Sequence, residues 1–184
     1  EGCRLEDGRV RTPEGYRQAY HALAEGGWLG IDLPEELGGS GLPLALHAAA
    51  SFAFEGAAMP FMMLAGSSRA AAHLLAASAP KLAEEWGRRL TSGEWAATIC
   101  ISEPDAGSDV GRIRTKATKS ETGWLIDGVK CWISFGDQDM TDRIGHCLLA
   151  RTGPVELGTR GLSLFLVPNV TDSAKANDIA VLRI

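Results

Sequence analysis

Cysteine is scarce in this chain and is not arranged for chemistry. Its four cysteines (Cys3, Cys100, Cys131, Cys147) include no C-x-x-C pair and no histidine at a zinc-ligand interval. Neither a metal site nor a disulfide framework is therefore expected. Cys100, Cys131 and Cys147 stand in apolar runs, where a reduced thiol acts as a small hydrophobe, so a reducing, cytoplasmic compartment is expected. Excess positive charge is missing too: 18 Lys and Arg against 23 Asp and Glu leave a net charge of -5. That excludes the basic field of a typical nucleic-acid binder. No apolar run is clean enough for a membrane span, because residues 42–75 are interrupted by His47, Glu55, Pro60, Ser67, Ser68, Arg69 and His73. Glu1-Gly2-Cys3-Arg4 opens no signal peptide, there is no initiator Met, and Ile179 to Ile184 stops within a strand-like pattern. Both ends read as cuts in a longer chain. Repeats and low-complexity tracts are also lacking.

What is present is a soluble-type composition, 45% hydrophobic and 22% charged, whose periodicity changes once. From Thr12 to about Glu94 the spacing predicts helices. The first is capped by Thr12-Pro13 and presents Tyr16, Tyr20, Leu23 and Ala24. The second runs from Pro43 to about Ala58, the third from Phe61 to about Ala77, and the fourth from Lys81 to Thr91. After Trp95 the pattern predicts strands: Trp95–Ile101, Arg112–Lys119, a hairpin over Trp124–Ile133 turning at Asp127-Gly128, Ile144–Arg151 and Gly161–Val167. The expected fold class is α+β, with a helical bundle over residues 1–93 and an antiparallel β-sandwich or barrel over residues 94–184.

The segment Ile99-Cys100-Ile101-Ser102-Glu103-Pro104-Asp105-Ala106-Gly107-Ser108-Asp109 ends an apolar strand in a hydroxyl, then breaks into a Pro/Gly/Asp turn with a second hydroxyl. Ser134 follows Trp132 by two residues. Hydroxyls donate or accept without fixing a charge, an indole offers a stacking face, and Gly107 lets the backbone approach a ligand. Such a set suits a flat heteroaromatic cofactor. On spacing alone, a core Trp132 with two strand-terminating serines is an equally good reading.

The segment matches the signature Y-C-x-T-E-P-x-A-G-S-D and so resembles the acyl-CoA dehydrogenase family. Pro34-Glu35-Glu36-Leu37-Gly38-Gly39-Ser40-Gly41 resembles the amino-terminal domain of that family. Lys130 to Asp142 and Gly158 to Pro168 are similar to its longer branch, which includes the 3-methylmercaptopropionyl-CoA dehydrogenases. The resemblance implies an FAD-dependent oxidoreductase of fatty-acid metabolism that forms an α,β double bond in an acyl-CoA thioester. Electrons would pass to an electron-transfer flavoprotein, and the enzyme would be a homo-oligomer, dimer or tetramer. Ile99, Cys100, Ile101, Ser102, Gly107 and Ser108 then form a first flavin-contacting loop, and Trp132, Ile133 and Ser134 a second. Ser102 would bond the pyrimidine edge, Ser134 would bond near N5, Trp132 would pack on the ring, and Ser108 would touch the CoA portion of the substrate. The family's catalytic Glu lies in a carboxy-terminal helical domain outside this sequence, so no catalytic residue is assigned and the segment alone is expected to be inactive. Three departures stand out: Ile99 replaces a common aromatic, Ser replaces Thr at 102 and 134, and Phe135 replaces a small polar residue. Two alternatives remain, a flavin-binding stress or DNA-protection protein on the same scaffold and a non-catalytic binding module. Asp137 to Asp142 reads as a solvated loop, and Phe61, Met62 and Met63 as core or tunnel lining.

Overall fold

The computed structural model describes residues 2–184. Asp7 (φ 50°) and Gly8 (φ 76°) both take left-handed backbone, which a two-residue turn matched to strand twist requires. They join β1 (Arg4–Glu6) to β2 (Arg9–Arg11), with Leu5 opposite Val10. The sequence reading, begun at Thr12, has no counterpart to this hairpin. Thr12 does not cap a helix either. Its hydroxyl donates to Asp139, and α1 (Tyr16–Glu25) instead starts after Gly15 at φ 86°.

The helices otherwise fall where the periodicity predicts. α2 (Leu44–Ser78) follows Pro43, and Ala58 (φ -157°, ψ 64°) breaks it just before Pro60, which separates the second and third expected helices. Its length and composition alone suffice for a bilayer span, but beyond the break it buries Phe61, Leu64, Ala65, Ala71, Ala72 and Leu75. α3 (Pro80–Thr91) begins with proline at its first turn and buries Trp86 and Leu90.

The strands are β3 (Trp95–Cys100), β4 (Lys116–Ser120), β5 (Gly123–Asp127), β6 (Arg143–Arg151) and β7 (Leu162–Pro168). They form one sheet in the order β3-β6-β4-β5, with β7 also on β6. The sheet is not purely antiparallel: β4 meets β6 in parallel through Lys116 and Arg151. The long connection from Gly128 to Asp142 permits this, as parallel neighbours require. The expected hairpin turn at Asp127-Gly128 is also corrected. β4 and β5 turn at Glu121-Thr122, with Ser120 opposite Gly123. Gly128 (φ 155°) instead lies against Thr115, where a Cβ would come within 2.3 Å of Oγ1 and 2.7 Å of Cα.

Two compact units result, Glu1–Thr98 with Ser134–Gly145 and Pro168–Ile184, and Ile99–Ile133 with His146–Val167. In the first, Tyr20, Leu23, Leu29, Phe61, Leu64, Ala65, Ala96 and Met140 form a core on which Tyr16, Met62 and Phe135 pack. In the second, the buried Arg151 donates to the carbonyls of Gly111, Ile113 and Gly158 and so fixes two irregular turns to the sheet.

Candidate functional site

The end of β3 is turned by its own backbone. Glu103 N–H donates to the Ala106 carbonyl (2.9 Å), and Ala106 N–H returns a bond to the Glu103 carbonyl (3.1 Å). Pro104 and Asp105 are exposed at the tip, Ala106 is buried, and Gly107 and Ser108 face solvent. The Glu103 side chain turns inward. Its carboxylate accepts from Arg114 N–H (2.7 Å), Thr115 N–H (3.0 Å) and the Lys130 ammonium (2.8 Å). Burial alone would raise its pKa, but Lys130, Thr115 and the backbone amides outweigh that and hold it at about 2. Glu103 is thus a structural anion rather than a proton acceptor.

Lys130 also donates to the Ile101 carbonyl (3.0 Å), and Cys131 N–H donates to the Ser102 carbonyl (3.0 Å). These bonds stitch the Lys130-Cys131 segment to Ile101-Ser102 and bring Trp132 to the same edge of this unit. Trp132 is 86% exposed and sits at φ 60°. A left-handed bulky residue costs about 1–3 kcal/mol and persists only where its surroundings enforce it. A core role for Trp132, one of the two readings its spacing allowed, is therefore overturned.

Of the other expected site residues, Cys100 is buried, its Sγ lying 3.7 Å from His146 Nδ1, whereas Ile99, Ile101, Ser102 and Ile133 are half-buried. Ser134 is half-buried and opens the next segment of the helical unit. Phe135, at φ 52°, packs on the core cluster there. Among the described residues, no intramolecular hydrogen bond engages the hydroxyls of Ser102, Ser108 or Ser134. Within the unit of Ile99–Ile133, the uncommitted hydroxyls of Ser102 and Ser108 and the outward indole of Trp132 are groups of the kind that the polar edges and flat face of a heteroaromatic cofactor require.

The loop read as solvated is not. Asp137 accepts from Arg9 Nε (2.9 Å), Arg9 Nη2 (2.9 Å) and Val10 N–H (2.8 Å). Asp139 accepts from Thr12 N–H (3.1 Å) and Thr12 Oγ1 (2.7 Å). Although burial pushes the Asp139 pKa upward, the bonds from Thr12 and the charge of Arg11 leave it lowered. Gln138 is fully buried, its Oε1 accepting from Thr141 N–H (3.1 Å). Sequence reasoning missed Lys130, Arg9 and Asp137, because no spacing marks partners that lie 27 and 128 residues apart. Phe61 is core, Met62 packs against that core, and Met63 is half exposed.

The chain thus runs from a helical region into a sheet whose strand end carries this hydroxyl-bearing turn, an α+β arrangement. Residues 5–94 match the acyl-CoA dehydrogenase N-terminal domain, and residues 98–181 match the acyl-CoA dehydrogenase middle domain. The chain belongs to the acyl-CoA dehydrogenase family. It is 39% identical over 172 residues to 3-methylmercaptopropionyl-CoA dehydrogenase of Ruegeria pomeroyi, covering 92% of this chain and 29% of that protein. It is 38% identical to the broad-specificity linear acyl-CoA dehydrogenase FadE5 of Mycobacterium tuberculosis, over 86% of this chain and 26% of the relative. The chain therefore spans less than a third of these relatives. Among solved structures, glutaryl-CoA dehydrogenase from Mycobacterium smegmatis superposes with a TM-score of 0.72 at 26% identity, over 86% of this chain and 38% of that one. Butyryl-CoA dehydrogenase from Megasphaera elsdenii shares the fold, with a TM-score of 0.74 at 21% identity over 84% of this chain and 41% of that one.

Proposed function

We propose that the intact protein is an FAD-dependent acyl-CoA dehydrogenase, to which this chain contributes a helical amino-terminal domain (1–93) and a β-domain (94–184). The observation that carries the reading is the exposed, left-handed Trp132 at the edge that also bears the uncommitted Ser102 hydroxyl. When bound, the flavin supplies acceptance of a hydride from the acyl β-carbon. Ser102 would hydrogen-bond the pyrimidine edge of that group, Ser134 would donate near N5, and Trp132 would cover the ring. Gly107 and Ser108 are exposed at the turn, with open space where a Gly107 Cβ would stand, so Ser108 is accessible to the CoA portion of a thioester. The base that removes the α-proton is a carboxylate elsewhere in the intact protein. Re-oxidation by an electron-transfer flavoprotein, a homo-oligomeric assembly and a cytoplasmic location complete the reading.

The intact protein should purify yellow and should bleach anaerobically when an acyl-CoA is added. Ser134→Ala should slow that bleaching, by roughly the three- to tenfold expected from losing one ordinary hydrogen bond, and should leave acyl-CoA affinity nearly unchanged. Retained flavin that no acyl-CoA thioester reduces would defeat the reading, and an unchanged stopped-flow rate in Ser134→Ala would remove the N5 contact.

A further inference from the structure

Ser134 stands in a segment whose conformation its own sequence does not favour. Phe135, immediately after it, takes φ 52°, and Trp132, two residues before, takes φ 60°; neither is glycine, asparagine or aspartate. A chain with two left-handed bulky residues so close together relaxes unless it is held at both ends. On the carboxy-terminal side, the hold comes from far away in sequence. Asp137 receives a two-pronged bond from Arg9 and a third from Val10 N–H, and two residues on, Asp139 receives Thr12 through both N–H and hydroxyl. Arg11 adds an ion pair to Asp139 at 3.6 Å. Between them Gln138 is buried, and Met140 enters the core cluster. Every one of these donors belongs to β2 or to the residue after it, which the Asp7-Gly8 turn presents.

We propose that the β1–β2 hairpin is a clamp that positions Ser134, with Arg9 and Asp137 as its central positioning pair. The inference rests on the reading above for what Ser134 faces; the clamp itself is a matter of this unit alone. Neither residue touches the reacting atoms. They act by holding the segment after Ser134 so that its hydroxyl keeps one direction. Fork-to-carboxylate pairing suits this role because it fixes orientation as well as distance.

The test uses the intact flavoprotein with Asp137→Asn, Arg9→Ala and the double variant, and Arg89→Gln as a control that breaks another ion pair of the same unit, Arg89–Glu94. Thr12→Val is a milder variant should the others fold poorly. The clamp predicts faster hydrogen exchange at the amides of residues 134–136 and a displaced flavin absorption band. Reduction by acyl-CoA should slow about tenfold, as small displacements from productive geometry do, with KM changed less than about twofold. The double variant should be no worse than either single one, and Arg89→Gln should leave all of these readouts at parental values. Variants that melt earlier yet keep parental exchange at 134–136 and a parental flavin spectrum would overturn the proposal. If the parent itself is not reduced by acyl-CoA thioesters, the dehydrogenase reading falls, while exchange and spectrum still decide the clamp.

Discussion

Ser102 and Ser134 each lie within three residues of a carboxylate that accepts three hydrogen bonds, Glu103 in one unit and Asp137 in the other, but the two anchors differ in kind. Glu103 and its Lys130 partner have side chains only 6% and 8% exposed, and two of the three bonds come from backbone amides. The turn it supports closes on its own backbone. Asp137 is bound by Arg9, a side chain 56% exposed, from a hairpin 128 residues earlier, and it steadies a segment with left-handed residues. The first serine is preorganised by its neighbourhood, whereas the second is held in place by a remote strap.

Removing the Glu103 carboxylate should have the largest effect. Glu103→Ala strands the buried Lys130 ammonium and leaves two amides unpaired, at a cost of about 3–5 kcal/mol measured by chemical denaturation. Adding Lys130→Met should recover part of that loss, because the orphaned charge goes with it. A loss below about 1 kcal/mol would erase the contrast between the two anchors.

Acid should sharpen the contrast next. The folded pKa of Glu103, about 2, lies below the ordinary 4.5. Its stabilisation is therefore complete above about pH 4.5 and is lost as pH falls through 2, a difference of about 3 kcal/mol. Asp32, also held at about 2 chiefly by its bond to Arg69, titrates over an overlapping range in the helical unit. Denaturation midpoints measured from pH 5 to pH 2 should fall in the parent and fall less in Glu103→Gln.

The same difference explains what could be read beforehand. Helices α1 to α3 were legible because Tyr20, Leu23, Trp86 and Leu90 repeat with helical spacing and proline or glycine stands at their borders. The first loop was legible because its chemistry is local: a strand, a hydroxyl, then Glu103-Pro104 and Gly107 within eight residues. The dipeptide Asp-Gly was not a safe guide. It makes the turn at 7–8, but at 127–128 it makes none, since Gly128 is needed where the chain crosses Thr115 at a distance that admits no Cβ. The clamp on Asp137 was illegible because charge pairs carry no sequence register, and an acidic run such as Asp137 to Asp142 reads as solvated until its partners are placed.

Asp137→Ala should then cost about 1–2 kcal/mol, less than Glu103→Ala, because Arg9 turns to water when its partner is lost. Thermal melting of the two variants side by side measures the gap. Equal losses would mean that the exposed strap and the buried network contribute alike.

The smallest effect tests the strap where no contact is involved. A Cβ at Gly8 would meet nothing within 4 Å, yet its φ is 76°. Gly8→Ala therefore removes no packing and no hydrogen bond; its cost, about 1 kcal/mol, is conformational and falls on the turn that presents Arg9. If the hairpin holds the segment after Ser134, that loss should appear as faster amide exchange at residues 134–136, some 125 positions away, with the Glu103 turn unchanged. Were exchange to quicken only at the β1–β2 turn itself, the hairpin would be an ornament on the helical unit, and the strain at Phe135 would have to be borne by its packing on the core cluster instead.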